Sequence, residues 1–264
     1  MKAVLALFAG AAFFSIAAHA EFKSVVIKPE SEFVLSAECV GTGNKIKLKD
    51  ERVSIIKETG ESYSLGLDEQ SEELPIFFGS NVNSDVCVLA IKYAENDVNE
   101  SFSLFVFNEE VGKYRASAIH TITNPEFGAD KIKSNYNDGP VTHNDRLCFS
   151  GKIKDYYVCE KREQFTEKLE KKQECDALSC SSSQIVKENT SEPVGAVVIP
   201  SKAYLFNKSD ESKFIQRKAY LVKGDEVTLS DFYQGDDGLY YKIVYAGKTK
   251  TEGWVSSVVL QIKD

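Results

Sequence analysis

The chain is poor in the residues that most enzymes and metalloproteins depend on. It has three histidines, one tryptophan and one methionine, the methionine being the first residue. Downstream of residue 20 only His120 and His143 remain, and neither stands at ligand spacing from the cysteines, so no metal site and no cofactor are expected. No apolar run after residue 20 approaches membrane-spanning length, which excludes a later transmembrane helix. Basic residues are outnumbered, 32 Lys and Arg against 40 Asp and Glu, and this acidic balance argues against nucleic acid or anionic lipid as partner. A convincing helical period is also missing from the first region, to about Arg162.

What is present begins with 1-MKAVLALFAGAAFFSIAAHA-20. Lys2, an apolar run from Ala3 to Phe14 and the closing Ala18-His19-Ala20 read as a cleavable signal peptide, cut after Ala20. The run is too short and alanine-rich for a stable membrane span. A periplasmic or secreted product follows. In that oxidising setting six cysteines, at 39, 87, 148, 159, 175 and 180, read as disulfides. The segment 148-CFSGKIKDYYVC-159 has the form of a cysteine-closed hairpin and 175-CDALSC-180 that of a small loop, so Cys148–Cys159 and Cys175–Cys180 are expected, with Cys39–Cys87 as the remaining pair.

Short runs of β type fill most of the chain. In the first region 23-KSVVIKP-29, 33-FVLSAEC-39, 52-RVSIIKE-58, 86-VCVLAIKY-93, 101-SFSLFVFN-108 and 155-DYYVCEK-161 are separated by polar turns. In 101–108, Phe102, Leu104 and Val106 point one way and Phe105 and Phe107 the other, which predicts a central strand covered on both faces. The expectation is an all-β protein: a sheet domain over 21–162, sandwich or propeller-like, then a charged, Ser-rich linker over 163–193, and a small barrel over 194–264. Thr166 to Glu174 suits a short helix in the linker. In the C-terminal part, Lys223-Gly224-Asp225 and Gly235-Asp236-Asp237-Gly238 supply turns between short strands.

Two family resemblances can be read from the motifs. The series AYLFN, KAYLVKGDEV, LYYKIVY and GWVSSVVL, across 196–260, resembles the bacterial SH3-like (SH3b) family, although Asp237-Gly238-Leu239-Tyr240 stands where most such modules have Asp-Gly-Trp. The resemblance implies a small barrel that binds peptide or cell-wall material. Further upstream, FVFN at 105–108, GKY at 112–114, NPEF at 124–127 and SNYNDG at 134–139 resemble a periplasmic group related to inhibitors of lysozyme. Members of that group often begin with a turn like a calcium loop. Here 79-GSNVNSD-85 keeps Asn81, Asn83 and Asp85 but lacks the leading acid and the closing glycine.

Candidate site residues follow. Tyr204, Tyr220, Tyr240 and Tyr241, with Trp254, could line a groove for an extended peptide or glycan, although of the adjacent pair Tyr240 and Tyr241 one must face inward. Trp254 is expected to be mainly a core plug at the start of the last strand, on the face shared with Val258 and Leu260, after a turn at Gly253. The stretch 134-SNYNDGPVTHND-145 contains Ser134, Asp138, His143 and Asp145, triad types in turn-forming surroundings. No catalytic residue is assigned there. Asp138 and His143 are instead candidates for contact with a protein partner. The reading is a non-enzymatic binding protein whose partner is a protein or a peptidoglycan-derived ligand; the alternative is an inhibitor or immunity protein that plugs a lysozyme-like wall-degrading enzyme with the 134–145 loop.

Overall fold

The computed structural model describes residues 22–50, 52–68, 73–210 and 213–263, so the expected signal peptide and its cleavage point lie outside the described residues. Those residues form strands, turns and one short 3-10 segment, with no α-helix among them. Strand β1 (Phe22–Ile27) precedes a four-stranded meander, β2 (Glu32–Val34), β3 (Lys45–Lys49), β4 (Arg52–Ile56) and β5 (Ser62–Asp68). Then β6 (Leu74–Gly79), β7 (Val88–Glu95), β8 (Glu100–Asn108) and β9 (Lys113–Thr123) join β1 in a five-stranded sheet, ordered β1-β6-β7-β8-β9.

This second sheet is a middle layer. Along β7 the side chains alternate: Leu89 and Ile91 meet Ile46, Leu48, Val53 and Ile55 of the meander, whereas Val88 and Ala90 turn to the opposite core with Ile132, Leu147 and Tyr156. The same alternation puts Phe105 of β8 in the first core and Phe102, Leu104 and Val106 in the second. The two-faced strand expected at 101–108 is therefore present. The region stacks three layers, however, where a sandwich or a propeller was expected.

The third layer is a six-stranded antiparallel sheet in sequence order: β10 (Glu126–Phe127), β11 (Ile132–Asp138), β12 (Val141–Ser150), β13 (Asp155–Gln164), β14 (Leu169–Glu174) and β15 (Gln184–Lys187). Two expectations are corrected here. Thr166 to Glu174 holds no helix, since Leu169–Glu174 is a strand paired with β13 and β15. Nor is 163–193 a linker, because the sheet runs through the boundary at 162. Leu169 and Ile185 are buried in the core of the C-terminal strands, and Phe165 stacks on Phe232 with centroids 3.8 Å apart.

The C-terminal strands are β16 (Gly195–Val198), β17 (Ala203–Lys208), β18 (Phe214–Leu221), β19 (Glu226–Gly235), β20 (Gly238–Ala246), β21 (Lys250–Ser256) and β22 (Leu260–Ile262). They form a seven-stranded sheet ordered β18-β17-β21-β20-β19-β16-β22. The turn at Lys223-Gly224-Asp225 uses a left-handed glycine, φ 89°, and Asp225 Oδ2 accepts from the Val222 amide at 2.8 Å.

All six cysteines are paired, Cys39–Cys87, Cys148–Cys159 and Cys175–Cys180, as the spacing suggested. The first bond ties the loop after β2 to the entry of β7, the second crosses β12 and β13, and the third closes the loop between β14 and β15. No helix among the described residues is long and apolar enough to cross a membrane.

Candidate functional site

On β17 the core claims Ala203 and Leu205, so alternation turns Tyr204 and Phe206 to the other face. Phe206 lies opposite Trp254 of β21, and Trp254's neighbour Val255 is fully buried in the core. Trp254 is therefore half-buried on the outer face, and the expected core plug is corrected. Alternation does not carry from Trp254 to Leu260 because Ser257–Val259 forms a 3-10 turn, which leaves Val258 exposed. Gly253 sits within β21 and forms no turn. A Cβ there would come within 3.3 Å of Leu205 and 3.1 Å of the Arg217 guanidinium, so its role is close approach.

The outer face carries an aromatic cluster. Phe214 of β18 stacks on Tyr240 at 3.8 Å and meets Trp254 edge-on at 5.7 Å, with Tyr233 at 5.6 Å; Phe206 meets Tyr240 at 6.0 Å. Lys208 Nζ stands 3.9 Å from the centroid of Tyr233 and 5.7 Å from that of Trp254. The Tyr240 hydroxyl donates to Asp237 at 2.7 Å, and this bond, followed by burial, holds the phenol above its ordinary pKa. Tyr204 and Tyr220 face each other across β17 and β18 as an exposed pair, ring centroids 6.0 Å apart, and Lys202 lies over Tyr220 at 4.4 Å.

The structure sorts the C-terminal candidates accordingly. Tyr204, Tyr220, Tyr240 and Trp254 share one face, and Tyr241 belongs to the core. Phe206, Lys208 and Phe214 complete the face and were missed, although the pattern Ala203-Tyr204-Leu205-Phe206 carries the signal for Phe206 in its alternation.

Asp138 and His143 lie on a different sheet. The stretch 134–145 is a tight hairpin of β11 and β12 and not the expected loop, since Asp138 pairs with Val141 around Gly139-Pro140. His143 stacks on its cross-strand partner Tyr136, centroids 4.4 Å apart and planes 3° from parallel, while Asp138 is exposed at the tip. Ser134 and Asp145 are cross-strand partners that, with Tyr136, line a cavity of about 210 Å³. Ser134 is engaged by the Thr123 backbone, its Oγ accepting from the amide at 2.9 Å and donating to the carbonyl at 3.3 Å. Burial holds the Asp145 carboxyl above the usual range against the opposing charges of Lys161 and His143.

In the 79–85 turn Asn81 donates to the Tyr156 hydroxyl at 2.8 Å and Asn83 to the Asp130 carbonyl at 3.2 Å, while Asp85 is exposed. Among the described residues no group of three or more His, Cys, Asp or Glu side chains is arranged to hold a metal. A cleft of about 910 Å³, lined by Leu169, Val194 and Ile262 and by Lys168, Lys187 and Lys263, opens where the six-stranded sheet meets the C-terminal one. Of its cations, Lys263 is paired with Glu226 at 2.6 Å and Lys187 with Glu192 at 3.6 Å.

Compared with known proteins, the chain matches no family, no curated protein and no solved structure.

Proposed function

We propose that the chain is a non-enzymatic binding protein of the periplasm or the cell exterior, whose SH3-like C-terminal module recognises a peptide or peptidoglycan-derived ligand through the outer aromatic face. The observation that carries this reading is that half-buried Phe206, Phe214, Tyr233 and Trp254 gather around the buried Tyr240 on the face opposite the C-terminal core, next to the exposed Tyr204–Tyr220 pair. Rings with one open face offer a large contact area to a sugar or peptide at little entropic cost. Three disulfides among the described residues are consistent with an oxidising compartment.

The test is a titration of the mature chain with soluble peptidoglycan fragments, followed by Trp254 emission. A saturable shift that Tyr204→Ala or Phe214→Ala weakens supports the reading. Saturable binding untouched by either change would move the site elsewhere. The second reading, inhibition of a lysozyme-like enzyme, draws on the β11–β12 hairpin, which carries the exposed Asp138 at its tip and the stacked Tyr136–His143 pair beside it. Its check is residual lysozyme activity with the chain present, comparing the wild type with Asp138→Ala.

A further inference from the structure

β18 is an end strand. Among the described residues it pairs only with β17, so one side of an eight-residue strand leaves its alternate amides and carbonyls without a partner strand. Its exposed side chains include Ile215, 60 % accessible, and Tyr220, 45 % accessible. Such an edge invites an added strand.

The charge around it selects the occupant. From residue 202 to 223 the β17–β18 hairpin carries six basic side chains and two acidic ones, in a chain whose net charge is −8. Lys202 and Lys208 stand over aromatic rings, and Arg217 donates to the Glu252 carbonyl at 2.6 Å, so among the described residues these three cations meet rings and backbone and not carboxylates. A second β18 in full antiparallel register would bring Arg217 opposite Lys218 of the other copy at both central positions, which opposes self-pairing. An acidic strand would complete the ladder and neutralise the same cations.

We propose that β18 binds an acidic peptide in extended form, added to the sheet as a further strand. The backbone edge supplies the hydrogen bonds, and Lys202, Lys208, Lys218 and Lys223 select against basic sequences. This deepens, and rests on, the reading of the C-terminal sheet as a ligand-binding module.

The experiment uses the full mature chain and synthetic peptides of alternating Glu and Thr, long enough to match β18, followed by Trp254 emission and by amide exchange along β18. The acidic peptide is expected to bind, to protect β18 amides and to weaken with added salt. Three changes should each weaken it by about tenfold or more: Lys in place of Glu, N-methylation of the peptide amides that would face β18, and the surface double variant Lys218→Glu with Lys223→Glu. Equal binding of the N-methylated peptide would overturn strand addition. Dimerisation of the chain through β18, seen by sedimentation, would overturn the choice of occupant. If peptidoglycan fragments shift Trp254 emission and the acidic peptide does not bind, the present proposal fails and the binding-module reading stands. If neither binds, both fail.

Discussion

Burial differs sharply between neighbours on β21 and β17, and the difference sets what each side chain is worth. Leu205 is 1 % exposed within the C-terminal core, whereas Trp254 is half-buried on the outer face. Leu205→Ala should cost about 2–5 kcal/mol, the transfer and cavity terms together. Trp254→Ala should cost only about 1–2 kcal/mol, from lost ring contacts and part of the apolar area. Urea denaturation of the two variants checks the order; a larger loss at Trp254 would return the indole to the core. Asp155 is a different kind of anchor. It is 3 % exposed and accepts from Ser117 Oγ at 2.6 Å, Arg115 at 2.7 Å, the Ala118 amide at 3.0 Å and the Tyr156 amide at 2.7 Å. Because β9 and β13 belong to different layers, this carboxylate pins one sheet to the next. Asp155→Ala leaves Arg115 and buried donors without their acceptor and should cost about 3 kcal/mol, read from the same urea curves.

At the scale of elements, the hairpins with turn signals were legible and the charged strands were not. Cys148 and Cys159 flank a turn with Gly151, and Lys223-Gly224-Asp225 separates β18 from β19, so alternation and turn chemistry agreed at these places. Residues 163–174, EQFTEKLEKKQE, misled because Lys and Glu recur there as on an exposed helix. In the structure they span the end of β13, a turn and β14, and Glu170 and Lys172 of β14 are buried because opposite charges on β13 and β14 neutralise them: Arg162 bonds Glu170 and Glu160, and Lys172 reaches Glu160 at 3.4 Å and Glu174 at 2.7 Å. Burial by charge pairing leaves no hydrophobic trace for sequence periodicity to detect. The aromatic face was half legible for a related reason. Tyrosines marked it, but Phe206 and Phe214 look like core residues until the register fixes which face they occupy.

The same network predicts a pH dependence. Burial alone would raise the Glu160 carboxyl, but Arg162, Arg146 and Lys172 outweigh it and hold the group below the ordinary glutamate value of 4.5. A carboxyl depressed in the folded state contributes stability above its unfolded value, and that stability is lost as pH falls through the folded one. Wild-type protein should therefore weaken as the pH drops below about 4.5, and Glu160→Gln should show a shallower acid limb. Denaturation midpoints across that range check it. Parallel acid limbs in the two proteins would mean that the network does not couple to folding through Glu160.

Across the whole molecule, the C-terminal strands do not close their core alone. Phe165, Leu169, Ile185 and Val194 complete it; Val194 links the layers, its amide donating to Ile185 at 2.9 Å and its carbonyl accepting from Leu229 at 3.0 Å, while Lys171 pairs with Asp231 at 3.2 Å. A fragment of residues 194–264 would expose the apolar surface that Leu169 and Ile185 cover and lose the stacked partner of Phe232. A fragment of residues 163–264 keeps the β14–β15 hairpin and these contacts. The longer piece should give dispersed amide NMR signals and a cooperative urea transition. The shorter should unfold at distinctly lower urea or show no transition, since losing cover over two buried aliphatic side chains costs about 1.5–3 kcal/mol for each. That is a large share of the stability of so small a core. Equal midpoints for the two fragments would place the boundary at 194 after all, and would make the strands of 163–187 an extension of the upstream sheet alone.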